Sequence, residues 1–268
     1  MKLICYKYNN SYGCGYIGNN TVSSFFNGNL KSTNNFLINF ISGEVEKNVK
    51  NNINLNDIEL IAPIPLPNSF RDAYAFRQHV KSGRKNRGLE MIPEYDEFPV
   101  FYFSNHNSIT GPGIVNVYKE HLNQLDFELE VAIVIRKEGI NIKASNAHDY
   151  IFGYTIMNDW SARALQMKEM KLNLGPAKGK DFATSIGPHI TTSEELQKFI
   201  INDKYNIPLS ATVNGIEVSN DNLQNMTWSF AEIIERASYG TSLYPGDIIG
   251  SGTCGTGCFL ELNGTSNN

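Results

Sequence analysis

What this 268-residue sequence has little of narrows the field before any motif is read. Only four cysteines occur, Cys5, Cys14, Cys254 and Cys258, and the last two are separated by Gly255-Thr256-Gly257. No second close-set pair and no nearby histidine completes a zinc site, so the thiols are expected to be reduced small residues. No run approaches the ~20 apolar residues that a membrane-spanning helix needs. After Met1-Lys2, the apolar Leu3-Ile4-Cys5 gives way at once to Tyr, Lys and Asn, so no secretory segment is expected. Basic residues are sparse as well. The formal net charge is −4, the pI is near 5.8, and the one dense basic run is Lys81 to Arg87. That balance argues against a nucleic-acid partner. No internal repeat is present, and the paired asparagines read as loop and surface composition. These absences lead to the expectation of a soluble, cytoplasmic protein that binds neither nucleic acid nor membrane. Its length allows a substantial core.

What is present centres on Asp126-Phe127-Glu128-Leu129-Glu130-Val131-Ala132-Ile133-Val134-Ile135. The alternation has period two, the pattern of a strand with two different faces. Phe127, Leu129, Val131, Ile133 and Ile135 share one face. Glu128 and Glu130 share the other, which continues into Ala132 and Val134 and is therefore expected to be covered. Two carboxylates about 7 Å apart along a covered strand face repel. One must keep its proton, or a cation must lie between them. An ExE pair on a solvated strand face is the plainer reading, and the apolar continuation speaks against it.

Several other segments carry chemistry. Phe36 to Lys50 has apolar residues at helical spacing. Ile58 to Pro67 reads as a short strand broken by prolines, an extended connector that places a boundary between a small N-terminal domain, 1–60, and the main domain, 61–268. Asn68 or Ser69 is expected to cap a helix running to Val80, which would set Asp72 and His79 on one side two turns apart. Gly83 to Gly113 is loop-like, with the aromatic run Phe101-Tyr102-Phe103 arguing that it is ordered. Tyr150 to Asp159 reads as a second strand ending in an acid, and Trp160 to Glu169 as a helix start. An acid in that place is often only a helix cap. Phe182 to Ile190 reads as a turn and a strand. Leu209 to Val218 reads as a hairpin with Asn214-Gly215 at its tip, and Trp228 to Ala237 as an amphipathic helix. Gly250 to Gly257 is a glycine-rich loop without the Lys-Ser/Thr ending of a phosphate-binding loop.

Five motifs stand in one order: the carboxylate strand, Met157-Asn158-Asp159-Trp160-Ser161-Ala162-Arg163, Gly179-Lys180-Asp181-Phe182-Ala183-Thr184, Gly250-Ser251-Gly252-Thr253, and Leu260-Glu261-Leu262. With Arg71 to His79, this arrangement resembles the fumarylacetoacetate hydrolase family from about residue 60 onward, closest to its fumarylacetoacetase-like branch. The resemblance implies an α+β, predominantly β fold, with a mixed β-roll catalytic domain around a divalent cation. It implies Asp72, Glu128, Glu130 and Asp159 as metal ligands, His79 as general base, Glu261 as the acid that orients it, and Lys180 as a catalytic lysine. It also implies Tyr74, Arg87, Tyr102, Arg163, Gln166 and Thr253 as substrate contacts, Arg87 only with a one-residue gap. An oxygen-only ligand set suits Mg²⁺ first, with Ca²⁺ or Mn²⁺ as alternatives. The implied activity is hydrolysis of a C–C bond in a 1,3-diketo acid, with a small-molecule substrate and a homodimeric assembly. A decarboxylase or isomerase of 2-oxo acids on the same metal site is the alternative, and a non-catalytic dicarboxylate-binding protein a further one. Two positions depart from the family pattern: Ala164 stands where relatives place Asp, and Met170 where animal fumarylacetoacetases place a substrate-binding Tyr.

Overall fold

The computed structural model describes residues 1–266, with side chains to residue 262; the last two residues of the 61–268 segment lie outside the described residues. The architecture is α+β and predominantly β. Among the described residues one mixed sheet of thirteen strands forms the frame. From one edge its main path runs Asn51–Asn54, Thr21–Gly28, Ser11–Ile17, Lys2–Tyr8, Ile190–Thr192, Ile151–Asp159, Leu129–Ile135, Ile248–Gly250, Phe70–Ala73 and Phe101–Phe103. Most neighbours along it are antiparallel, but Ile248–Gly250 and Phe70–Ala73 run parallel.

The carboxylate strand lies in the interior of this sheet, and both of its faces are covered. Phe127, Leu129, Val131, Ile133 and Ile135 join a core with Ile233 and Ile234 of the Phe230–Ala237 helix. Ala132 and Val134 join a second core with Leu37 and Ile41 of the Leu30–Ser42 helix. Period-two alternation therefore separates two buried layers here rather than core from water. The regular strand begins at Leu129, and Asp126 belongs to a separate short strand, Leu125–Asp126, so the stretch expected as one strand is broken at Phe127-Glu128.

Helix boundaries follow local chemistry. The N-terminal helix spans Leu30–Ser42 rather than 36–50. Asn29 accepts from Ser32 N at 2.9 Å at its start, and Gly43 ends it in the left-handed region at φ 84°, which glycine adopts without a side-chain clash. The Phe230–Ala237 helix opens with a capping box between Ser229 and Glu232. The hairpin around Asn214-Gly215 forms as expected, from Pro208–Val213 and Ile216–Asn222. The proline connector is tied down by Asn34, whose side chain both donates to Leu66 O (3.0 Å) and accepts from Leu66 N (3.1 Å).

The expected helix from residue 70 to 80 does not form as one element. Phe70–Ala73 is a fully buried strand between two strand partners, and the helix begins only at Arg77, running to Lys85. A buried run of four residues carries no period that separates strand from helix. Pairing on both edges decides it. Asp72 and His79 therefore sit on different elements, and the helical-spacing argument for bringing them together fails.

Candidate active site

Strand order and register assemble the acids. Glu130 lies opposite Met157 in the neighbouring strand, which ends two residues later at Asp159. Asp72 is one strand further away on the other side, across Ile248–Gly250. Adjacent strands are about 4.8 Å apart, so Asp72 must reach over an intervening strand. It can because the residue paired with it is Gly250. A Cβ there would fall 2.4 Å from Asp72 Oδ1 and 2.5 Å from Met157 Cε. As a result, ligand oxygens of Asp72, Glu130 and Asp159 lie within 4.8 Å of one another, all buried.

Donors around the rim hold these carboxyls. Gly252 N donates to Asp72 Oδ1 (3.2 Å), Thr253 Oγ1 to Glu130 Oε1 (3.4 Å), and Tyr102 OH to Asp159 Oδ2 (2.7 Å). Asp159 Oδ1 accepts from Thr184 Oγ1 (3.3 Å). Asp159 is thus no helix cap. Glu130 Oε2, in contrast, is buried without a hydrogen-bond partner.

The electrostatics of the cluster follow from burial and mutual repulsion. Asp72 is pushed up to about 7, by burial first and then by the charge of Asp159. Glu130 is raised well above the usual carboxylate range by burial and then by Asp72. Burial also raises Asp159, with Lys180 offsetting only part of the effect. Three buried acids, all shifted towards their protonated forms and one with an orphaned oxygen, form a donor set that fits a divalent, oxygen-preferring cation. Asp72, Glu130 and Asp159 are the residues that would hold it.

Glu128, the fourth acid expected as a ligand, is held by two cations in this arrangement. Its Oε2 takes a short charged hydrogen bond from Lys180 Nζ, and its Oε1 lies 2.8 Å from Arg163 Nη2. Burial would raise it, but Lys180 and Arg163 outweigh burial and hold it below the usual range. Lys180 also donates to Asp159 Oδ2 at 2.8 Å. Glu128 therefore stands between the acid cluster and His79, its carboxylate within 4.8 Å of an imidazole nitrogen.

His79, the residue expected as general base, is carried by the Arg77–Lys85 helix. Its Nδ1 lies 3.1 Å from Glu261 Oε2, and its ring meets Tyr74 edge-on at 5.8 Å between centroids. Gln78 Nε2 donates to Glu261 Oε1 at 3.5 Å. Burial would raise Glu261, but the hydrogen bond and charge of His79 hold it below its ordinary value. Cys258 Sγ approaches the same Nδ1 at 3.9 Å, its thiol pushed up to about 12 by burial and then by Glu128.

A cavity of about 290 Å³ opens onto this array. Every residue singled out from sequence lines it except Asp159 and Glu261, which stand behind Lys180 and His79. Arg163 and Gln166 share a wall, with Arg163 Nη1 donating to Gln166 Oε1 at 3.0 Å. Arg87 reaches the cavity from the end of the His79 helix. Sequence reasoning missed Asp126, Cys258 and the apolar wall of Met167 and Leu260. Asp126 has no local signal, because its partners Arg163, Phe259 and Leu260 are distant in sequence.

Residues 68–266 match the family model described as fumarylacetoacetate (FAA) hydrolase C-terminal, and the chain belongs to this family. It is 34% identical over 204 residues to the oxaloacetate tautomerase YisK of Bacillus subtilis, covering 74% of this chain and 63% of that protein. It is 30% identical over 258 residues to a fumarylacetoacetase of Arabidopsis thaliana, covering 78% of this chain and 61% of that one. The chain thus spans less than two thirds of the length of either relative. Among solved structures, a maleylpyruvate hydrolase from Sphingobium sp. SYK-6 in complex with manganese(II) and pyruvate shares the fold. The TM-score is 0.69 over 96% of this chain and 90% of that one, at 20% identity. The family includes hydrolases and tautomerases, so membership sets an enzyme scaffold and leaves the reaction to the site.

Proposed function

We propose that this chain is a divalent-cation-dependent hydrolase that cleaves the C–C bond of a 1,3-dioxo acid. The observation that carries the reading is the pairing of His79 with Glu261 on the wall of the cavity that also receives Asp72 and Glu130. When bound, the cation supplies positive charge that polarises the dioxo group and steadies the negative charge developing on its oxygens. Mg²⁺ and Mn²⁺ suit the oxygen donors.

The protein's own groups then divide the work. Glu261 fixes the imidazole through Nδ1, which leaves Nε2 to accept a proton from water. The water oxygen adds to the acyl carbonyl carbon, and Lys180 balances the oxyanion. When that carbonyl re-forms, the bond to the central carbon breaks and its electron pair stays with the 2-oxo acid fragment. His79 returns the proton to that carbon. One water is consumed, and one carboxylic acid and one 2-oxo acid leave.

The identity to an oxaloacetate tautomerase favours a second reading, in which His79 only moves a proton between oxygen and carbon and no water is used. Assays on an acylpyruvate and on enol-oxaloacetate, each with Mg²⁺ or Mn²⁺, separate the two. The proposal expects release of pyruvate and the acyl acid, abolished in His79→Ala while Mn²⁺ binding persists. Tautomerisation without cleavage, or undiminished cleavage by the variant, would reverse the assignment.

A further inference from the structure

We propose that the cavity selects a monocarboxylic substrate whose acyl group is an apolar chain, and that Met167 and Met170 set this preference. The proposal deepens the 1,3-dioxo acid reading and rests on it. It begins with the cavity's cations. Lys180 is already engaged by Glu128 and Asp159, and Arg163 by Asp126 and Glu128. Arg87 is different: its Nε donates to Gly83 O at 3.1 Å, and among the described residues it has no carboxylate partner. One spare guanidinium can pair with one substrate carboxylate.

The Arg163–Glu169 helix and the single turn Met170–Leu172 after it show what the rest of a ligand would meet. Arg163, at its first position, is anchored to the acids. Gln166 and Met167 follow one turn on, and Met170 one turn further. Residues three and four apart share a helix face, and all four line the cavity. From Arg163 to Met170 the chain advances by about 10 Å at helical rise. Along that path the wall changes from guanidinium to amide to thioether, and Leu260, Pro176 and Val100 complete it.

Met167 and Val100 are 38% and 47% exposed, so this wall presents apolar surface that a ligand tail would cover. With Arg87 taken by the first carboxylate, a second one would lose part of its water at this wall without finding a spare cation in the cavity lining, which is costly. A hydrocarbon tail would gain contact instead, and unbranched methionines adapt to tails of different length.

Simple 2-oxo acids test the wall apart from the chemistry, because they lack the second carbonyl and cannot be cleaved as dioxo acids. Calorimetry with the purified chain and Mn²⁺ would compare pyruvate, 2-oxohexanoate and 2-oxooctanoate with 2-oxooctanedioate. Affinity should rise about fourfold per added methylene. The dicarboxylate should bind at least about tenfold more weakly than the monoacid of equal length. Met170→Arg should reverse that last ranking. A flat series, a dicarboxylate preferred by the unaltered protein, or an unchanged ranking in the variant would overturn the proposal. Parallel assays on acylpyruvates with matching tails keep the two ideas apart. Tail preference without cleavage would remove the hydrolase reading and leave the wall assignment standing; cleavage without tail preference would do the reverse.

Discussion

Asp126 and Arg163 form a buried pair, with Arg163 Nε donating to Asp126 Oδ2 at 2.8 Å. The same carboxylate accepts Phe259 N at 2.8 Å and Leu260 N at 3.0 Å, at the start of the Phe259–Ser266 helix that carries Glu261. One side chain therefore fixes the helix that carries Glu261 and the arginine that holds Glu128. Asp126 does not itself line the cavity; it fixes the start of the helix on which Glu261 stands.

Asp126→Asn should leave the fold intact but weaker by about 3 kcal/mol, since it removes a charged partner from a buried guanidinium. Hydrolysis should fall by about 100-fold, the usual cost of a small displacement in a catalytic constellation. Mn²⁺ affinity should change little, because Asp72, Glu130 and Asp159 are untouched. Denaturant unfolding, kcat and Mn²⁺ calorimetry on one preparation check the three parts. A variant that unfolds more readily yet keeps its kcat would show a purely structural aspartate.

Gly250→Ala tests how the acids are assembled. A Cβ would press against Asp72 Oδ1 at 2.4 Å and Met157 Cε at 2.5 Å. The methionine can yield, but the carboxyl can do so only by leaving Glu130. Cation affinity should therefore drop by at least about tenfold, the effect of a disturbed ligand or its support. Unchanged Mn²⁺ binding would mean that Asp72 is no ligand.

The contrast between these two residues shows what was legible in the chain. Phe127 to Ile135 advertised a covered strand through its alternation, and Glu130 was readable because an acid on such a face needs a partner. Asp159 was readable as the acid ending a strand. Helical spacing predicts Asp72 and His79 on one side of one helix; instead a buried strand and a separate helix bring both to the lining of the same cavity. Four residues are too few to show a period, and only their pairing with Ile248–Gly250 and Phe101–Phe103 settles the matter. Asp126 lay beyond local reading altogether. Its contacts span up to 134 positions, and no motif marks a residue whose role is to join distant backbone groups.

The weakened acidity of the cluster's carboxyls makes the protein's stability and its cation affinity respond to pH in opposite ways. In the cation-free protein the folded state holds a proton on Asp72 up to about pH 7, whereas in the unfolded chain this carboxyl ionises near its ordinary value of 3.8. Between those limits the folded state binds more protons, so stability falls as pH rises. Glu130, shifted in the same direction, extends the decline to higher pH. Binding a dication must expel the protons from Asp72 and Glu130, so affinity should climb by at least about tenfold per pH unit up to about pH 7 and go on rising above it. Thermal unfolding in chelator should therefore show a melting temperature that drops from about pH 5 to about pH 8, with the stabilisation given by a fixed Mn²⁺ concentration growing over the same range. If the chelated protein instead became more stable with rising pH, Asp72 would be ionised in the fold and the repulsion that invites a cation would be absent.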